Sequence, residues 1–159
     1  MAISSDHSAD HLTEHFALTE FVHSDTARTL GIDNTPPPAI TVNLRRLAKF
    51  DELVRLELGG APMRISSGFR CTALNRAVGG ARNSAHLDGL ANDFMAGEFG
   101  TPLAICRKLE HSYLQFDQLI YERAGSAVWV HLGIAAEGVT PRRQVLTVDH
   151  KGTRAGLWS

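Results

Sequence analysis

Ser84-Ala-His86-Leu-Asp-Gly89-Leu-Ala91-Asn-Asp93-Phe94 sets a histidine and an aspartate seven positions apart around a glycine turn, and a second histidine, His131, lies far downstream in an apolar stretch. Two imidazoles and one carboxylate supply a zinc ion with three protein ligands and leave its fourth position open to water, the arrangement of catalytic rather than structural zinc sites. His86, Asp93 and His131 therefore read as ligands of one Zn2+ ion in a hydrolase. Each has a simpler account alone. A lone histidine on an apolar strand is more often a hydrogen-bonded core residue, and Asp93 could end a strand or cap a helix.

The elements around these residues decide whether they meet. Leu90 to Met95 reads as a strand, with Ala91 and Asp93 on one face and Leu90, Asn92 and Phe94 on the other. Asp117 to Glu122 and Ala127 to Ile134 read as two apolar strands joined by Arg123-Ala-Gly-Ser in a hairpin, and Trp129, His131 and Gly133 share a face of the second. Met63 to Ser67 and Gln144 to Val148 are further strand candidates, and the tail from Lys151 reads as extended and poorly fixed.

Helical signals come mostly earlier. Ser24 caps a short helix ending at Gly31, and Thr41 caps a long one that carries Leu44, Leu47, Ala48, Val54 and Leu58 and stops at Gly59-Gly60. Asn34-Thr-Pro-Pro-Pro38 between them reads as a rigid surface crossing. Cys71 to Val78 and the stretch from Thr101-Pro102 to about Ser112 complete the helices. Short connections between strands favour antiparallel pairing, so the expected class is α+β, a small mainly antiparallel sheet with helices packed on one face.

At 159 residues with 43% hydrophobic content, one domain is expected. Residues 1–15 read as a flexible tail and 16–159 as the domain. Sixteen basic and seventeen acidic residues give a formal charge of -1, so no global field marks a nucleic-acid binder. No apolar run approaches the ~20 residues of a membrane span, and Met1 to Thr19 is polar where a secretory signal would be apolar. The expectation is a monomer made in the cytoplasm without a signal peptide, with no membrane insertion. Cys71 and Cys106, outside any Cys-x-x-Cys pair, read as small hydrophobes, although a bridge stays open if their helices pack together. His7, His11 and His15 recur every four positions; a second metal patch on one helix face and a frayed tail are both readings of that spacing.

Several motifs carry a family resemblance. Ser66-Ser67-Gly68-Phe69-Arg70 with Asn75, the segment from Ser84 to Phe94, and Trp129-Val130-His131 resemble the zinc D-alanyl-D-alanine carboxypeptidases and their L-alanyl-D-glutamate endopeptidase relatives, of the hedgehog/DD-peptidase fold. Phe16-x-Leu18-x-Glu20-Phe21, Gly31-Ile-Asp-Asn34, Phe99-Gly-Thr-Pro102 and Phe116 to Glu122 look like the single-domain branch common in phages and prophages. The resemblance implies that His86, Asp93 and His131 bind zinc, that Arg70 holds a substrate carboxylate or steadies an oxyanion, and that Ser84 lines the pocket. Trp129 is expected either to line the substrate groove or to pack in the core. The implied substrate is the stem peptide of peptidoglycan, and the implied setting is the cell wall, reached through a holin or at lysis.

The sequence departs from the resemblance in one place. Many relatives carry an acid two or three residues before the last histidine, where this chain has Val128 and Trp129. Glu122 is the expected replacement as general base: opposite Trp129 across the hairpin, its side chain would emerge on the His131 face, whereas a one-residue slip would turn it away. Asp88 and Glu98 are the alternatives, and Asp117 has the wrong strand parity. A zinc-stabilised binding or structural module on the same fold is the competing reading.

Overall fold

A computed structural model describes residues 10–159. In chain order the elements are α1 (Leu18–Val22), α2 (Asp25–Leu30), α3 (Pro38–Glu57), β1 (Arg64–Ser67), α4 (Thr72–Ala77), a 3-10 turn (Ala85–Asp88), β2 (Ala91–Met95), α5 (Pro102–Glu110), β3 (Gln118–Ala124), β4 (Ala127–Gly133), β5 (Gln144–Asp149) and β6 (Gly152–Ala155). The strands form one sheet in the order β1-β2-β4-β3-β5-β6. Every pair is antiparallel except β3 with β5. The expected α+β class holds.

Strand alternation sorts the two faces as expected. Phe94, Val130, Leu132 and Leu119 turn inward and pack in one core with Leu44, Leu47, Ala48 and Val54 of α3 and Ile105 and Leu109 of α5. Burying each such side chain contributes roughly 1.5–3 kcal/mol relative to exposure, so this face holds the sheet on its helices. Asp93 and His131 lie on the opposite face, free of the core.

Three elements differ from expectation. Helix α3 starts at Pro38 rather than at Thr41, because a proline at the first helical position lacks an N–H that would have no partner anyway. Thr41 bonds back to the Pro37 carbonyl from inside the first turn. Cys71 caps α4 instead of lying within it, and both cysteines are free. Burial pushes the Cys106 thiol up to about 12, which leaves it inert at neutral pH.

The segment after Lys151 is a strand, not a loose tail. Asp149 accepts a bond from the Lys151 N–H in a tight turn, and β6 returns along β5. Thr147 Oγ1 donates to the Gly156 carbonyl at 2.8 Å and accepts from the Trp158 N–H at 2.9 Å, fixing the end of the segment.

At the other end, His7 lies outside the described residues. His11 pairs with Ala17 and bonds to the Thr13 carbonyl, Leu12 is buried, and His15 bonds to Glu52 of α3 through its backbone N–H and Nδ1. Residues 11–15 thus pack on the helix, and their histidines already have partners other than a metal.

Behind β2, a polar pair crosses the core. Asn92 donates to the fully buried Asp51 of α3 at 2.6 Å. Burial raises the Asp51 carboxyl well above the usual range, and the Asn92 bond only partly offsets this. A carboxyl raised in the folded chain keeps a proton that the unfolded chain has released, so stability falls as pH rises from about 4 toward the folded pKa. Urea unfolding should show wild type losing stability relative to Asp51→Asn between pH 5 and pH 8. A difference independent of pH would contradict the buried, protonated carboxyl.

Candidate metal centre

The centre begins with a register. Asp93 of β2 lies directly opposite His131 of β4, and His131 Nδ1 is 3.0 Å from Asp93 Oδ1. On the other side of β2, a register irregularity in β1 places Ser67 opposite Asp93, and the Ser66 hydroxyl donates to the Asp93 carbonyl.

His86 arrives from outside the sheet, on the 3-10 turn. The Ser84 hydroxyl caps this turn by accepting from the His86 N–H at 3.4 Å, and Gly89 ends it in the left-handed conformation with φ 65°. A Cβ at Gly89 would come within 2.9 Å of Ile40, so the turn can lie this close to α3 only as glycine. His86 Nε2 then reaches 3.2 Å from His131 Nδ1 and 3.4 Å from Asp93 Oδ1.

These three separations test the fit of a metal. Tetrahedral zinc with N and O ligands at its usual bond lengths spaces them about 3.3–3.5 Å apart. The triangle matches, and among the described residues these three form a group able to hold one ion. The imidazole chemistry agrees. His86 Nδ1 lies 2.6 Å from the Gly68 carbonyl, which can only accept, so Nδ1 carries the proton and Nε2 presents its lone pair to the centre. Burial lowers the His86 pKa, and Asp93 only partly counters it, which keeps the ring neutral as ligation requires. Burial would raise Asp93, but His86 and His131 outweigh it and hold the carboxyl well below the usual range.

The Gly68–Arg70 segment is fastened at every step. Phe69 N–H donates to the Phe21 carbonyl at 2.7 Å, and Arg70 N–H to the His86 carbonyl at 3.1 Å. A Cβ at Gly68 would lie 2.4 Å from that Phe21 oxygen, so no side chain fits there. Asn34 completes the frame: its Nδ2 donates to the Val22 and Phe69 carbonyls, and its Oδ1 accepts from the Cys71 N–H at 2.8 Å. Sequence reasoning gave Asn34 no role at the site, although it closes the Gly31-Ile-Asp-Asn34 motif of the resemblance.

A cavity of about 480 Å³ opens in front of the triangle, lined by Arg70, Ser84, Glu122 and Trp129 together with His86, Asp93 and His131. Glu122 pairs with Trp129 and Ile120 with His131, so the Glu122 side chain emerges on the His131 face. Among the described residues lining this cavity, the carboxylates are Asp93 and Glu122. Asp88 and Glu98 lie outside the wall, and Asp117 is held by Arg142, whose Nε donates to Oδ1 and whose terminal nitrogen donates to Oδ2.

Burial pushes the Glu122 carboxyl up and Asp93 adds to this, while His131, Arg70 and the Trp129 indole draw it partly back. Arg70 is likewise pulled down by burial and held up by Asp93 and Glu122, and its Nε has no hydrogen-bond partner.

A triangle of two imidazoles and one carboxylate, set on a sheet face and open to a polar cavity, defines a mononuclear zinc hydrolase centre. The family model for peptidase M15 matches residues 14–133, well over half of the chain, and the chain belongs to this family of zinc-dependent peptidases. A search of curated proteins finds no match.

After dialysis against buffer, elemental analysis should find zinc lost from His86→Ala, Asp93→Ala and His131→Ala and retained at wild-type stoichiometry in Glu122→Gln. Gly68→Ala, which displaces the carbonyl that orients His86, should weaken zinc binding roughly 10–100-fold. Zinc loss in Glu122→Gln would make that residue a ligand and overturn the division of roles.

Proposed function

We propose that this zinc peptidase hydrolyses an amide bond in the stem peptide of bacterial peptidoglycan, with Glu122 as general base and Arg70 as electrostatic partner of the reacting carbonyl. The observation that carries the reading is the placement of Glu122, which lines the ligand cavity from β3 although the acid is missing at positions 128 and 129.

Zinc held by His86, Asp93 and His131 supplies Lewis acidity at neutral pH. Glu122 takes a proton from the attacking water as the new C–O bond forms, and its raised pKa brings it nearer to the range in which a carboxylate exchanges protons effectively. The Arg70 guanidinium, charged and partly desolvated, faces the negative charge that develops on the carbonyl oxygen. As the C–N bond breaks, Glu122 returns its proton to the leaving amine. Ser84 and Trp129 form walls against which the substrate backbone is held. The site of action is then the cell wall, as for an endolysin of phage origin released through a holin or at lysis.

The test is incubation of the zinc-loaded protein with purified muropeptides of several chemotypes, followed by mass spectrometry. The expected result is one new amine and one new carboxylate per cut. Glu122→Gln should lower kcat about 100- to 10,000-fold with its zinc in place. Arg70→Ala should lower it about 100- to 1,000-fold. No cleavage of any chemotype would leave the zinc-stabilised module as the better reading, and full activity in Glu122→Gln would remove that residue from the mechanism.

A further inference from the structure

A separate hollow of about 470 Å³ opens beside the loop that rims the metal cavity. Thr72, Asn75 and Arg76 of α4 wall it together with Gly80, Arg82 and Leu87. Residues 78–81 and 83–84 line the metal cavity, and Gly80 alone belongs to both walls, so one thickness of backbone divides the two.

The dividing segment is fixed by Asn75, which is buried. Its backbone carbonyl accepts from the Gly80 N–H at 2.8 Å, and its Nδ2 donates to the Ala81 carbonyl at 2.9 Å. The wall is therefore formed before any ligand arrives.

What this wall carries is positive charge without a counter-charge. Arg28, Arg142 and Arg154 are each paired with an aspartate, whereas among the described residues Arg76 and Arg82 have no carboxylate partner. No acid lines the hollow, and Asp88, next in sequence to Leu87, lies outside its wall. Two guanidinium groups beside one hollow repel each other, and an anion between them turns that repulsion into attraction.

The donors select among anions. A carboxylate has one charge and two oxygens, which a single guanidinium fork already satisfies. A phosphate monoester carries a charge of about -1.5 to -2 and three terminal oxygens, enough for two forks and the Thr72 hydroxyl together. Small-molecule sites run to about 300–1,000 Å³, so a hollow of this size also has room for the group that bears the phosphate.

We propose that this hollow is a phosphate-binding site, in which the paired forks of Arg76 and Arg82 and the hydroxyl of Thr72 hold a phosphate group. The assignment is independent of turnover at the metal centre.

The test is a nuclear magnetic resonance titration of the zinc-loaded protein with inorganic phosphate. Amide signals around Arg76 and Arg82 should shift, and Arg76→Ala and Arg82→Ala should each weaken that binding about tenfold. Both side chains are exposed, so zinc content and melting temperature should stay at wild-type values. Phosphate bound at the metal or at Arg70 would survive both substitutions, and binding of that kind alone would overturn the assignment. The double variant Arg76→Lys, Arg82→Lys keeps the charge and removes the forks. It should also lose about tenfold, and unchanged affinity would reduce the site to diffuse positive charge. Acetate should bind at least about tenfold more weakly than phosphate; equal affinity would overturn the choice of phosphate. Glycerol 3-phosphate separates the sources of the group: tighter binding than inorganic phosphate assigns the site to monoesters, and weaker binding assigns it to the free ion.

Discussion

The register between β2 and β4 is the constraint on which the site depends. It sets Asp93 opposite His131 on the open face. A slip by one residue would carry Asp93 into the core and bring Asn92 or Phe94 to the cleft. The register is held from behind: Phe94, Val130 and Leu132 fill the core, and the Asn92 Nδ2 finds its partner in Asp51 only in this alignment. His86, the third corner of the triangle, enters independently, on a turn fixed by Gly89 and by the carbonyl of Gly68. Zinc bound by this triangle would tie together segments that the fold positions separately, and its binding free energy would add to folding stability.

The two carboxylates of the cavity are divided by their surroundings. Asp93 lies against two imidazoles, which outweigh its burial and favour the charge a ligand needs. Glu122 is buried with less compensation and shifts the other way. Position makes the same division, since Asp93 lies within reach of both ring nitrogens while Glu122 stands off on β3, across β4 from β2. Two acids whose environments push them apart are what the proposed division between a fixed charge at Asp93 and a proton carrier at Glu122 requires.

Much of this was legible in the sequence because the relevant signals are short. His86, Ser84, Gly89 and Asp93 fall within one turn and the strand after it, and the parity of Glu122 and His131 follows from the pleat once the hairpin is recognised. The residues that hold the site were not legible, because their roles are made by distant neighbours. Asn34 reads as the first residue of a surface crossing until Phe69 and Cys71 are beside it. Gly68 reads as a loop glycine until the Phe21 carbonyl is seen against it. Asp51 reads as a polar position on a helix, and only its bond to Asn92 across the core reveals otherwise. The start of α3 and strand β6 were missed for local reasons: prolines that read as a crossing can also open a helix, and a four-residue strand after a tight turn has too little alternation to stand out.

Zinc K-edge X-ray absorption on the purified protein, with metal stoichiometry measured on the same sample, tests the central claim most directly. The account predicts one zinc per chain, a shell of four nitrogen and oxygen ligands at about 2.0–2.1 Å, and outer-shell scattering from two imidazoles. A sulfur ligand near 2.3 Å, a third imidazole, or a fully ligated shell without an exchangeable position would contradict a catalytic centre built from His86, Asp93 and His131.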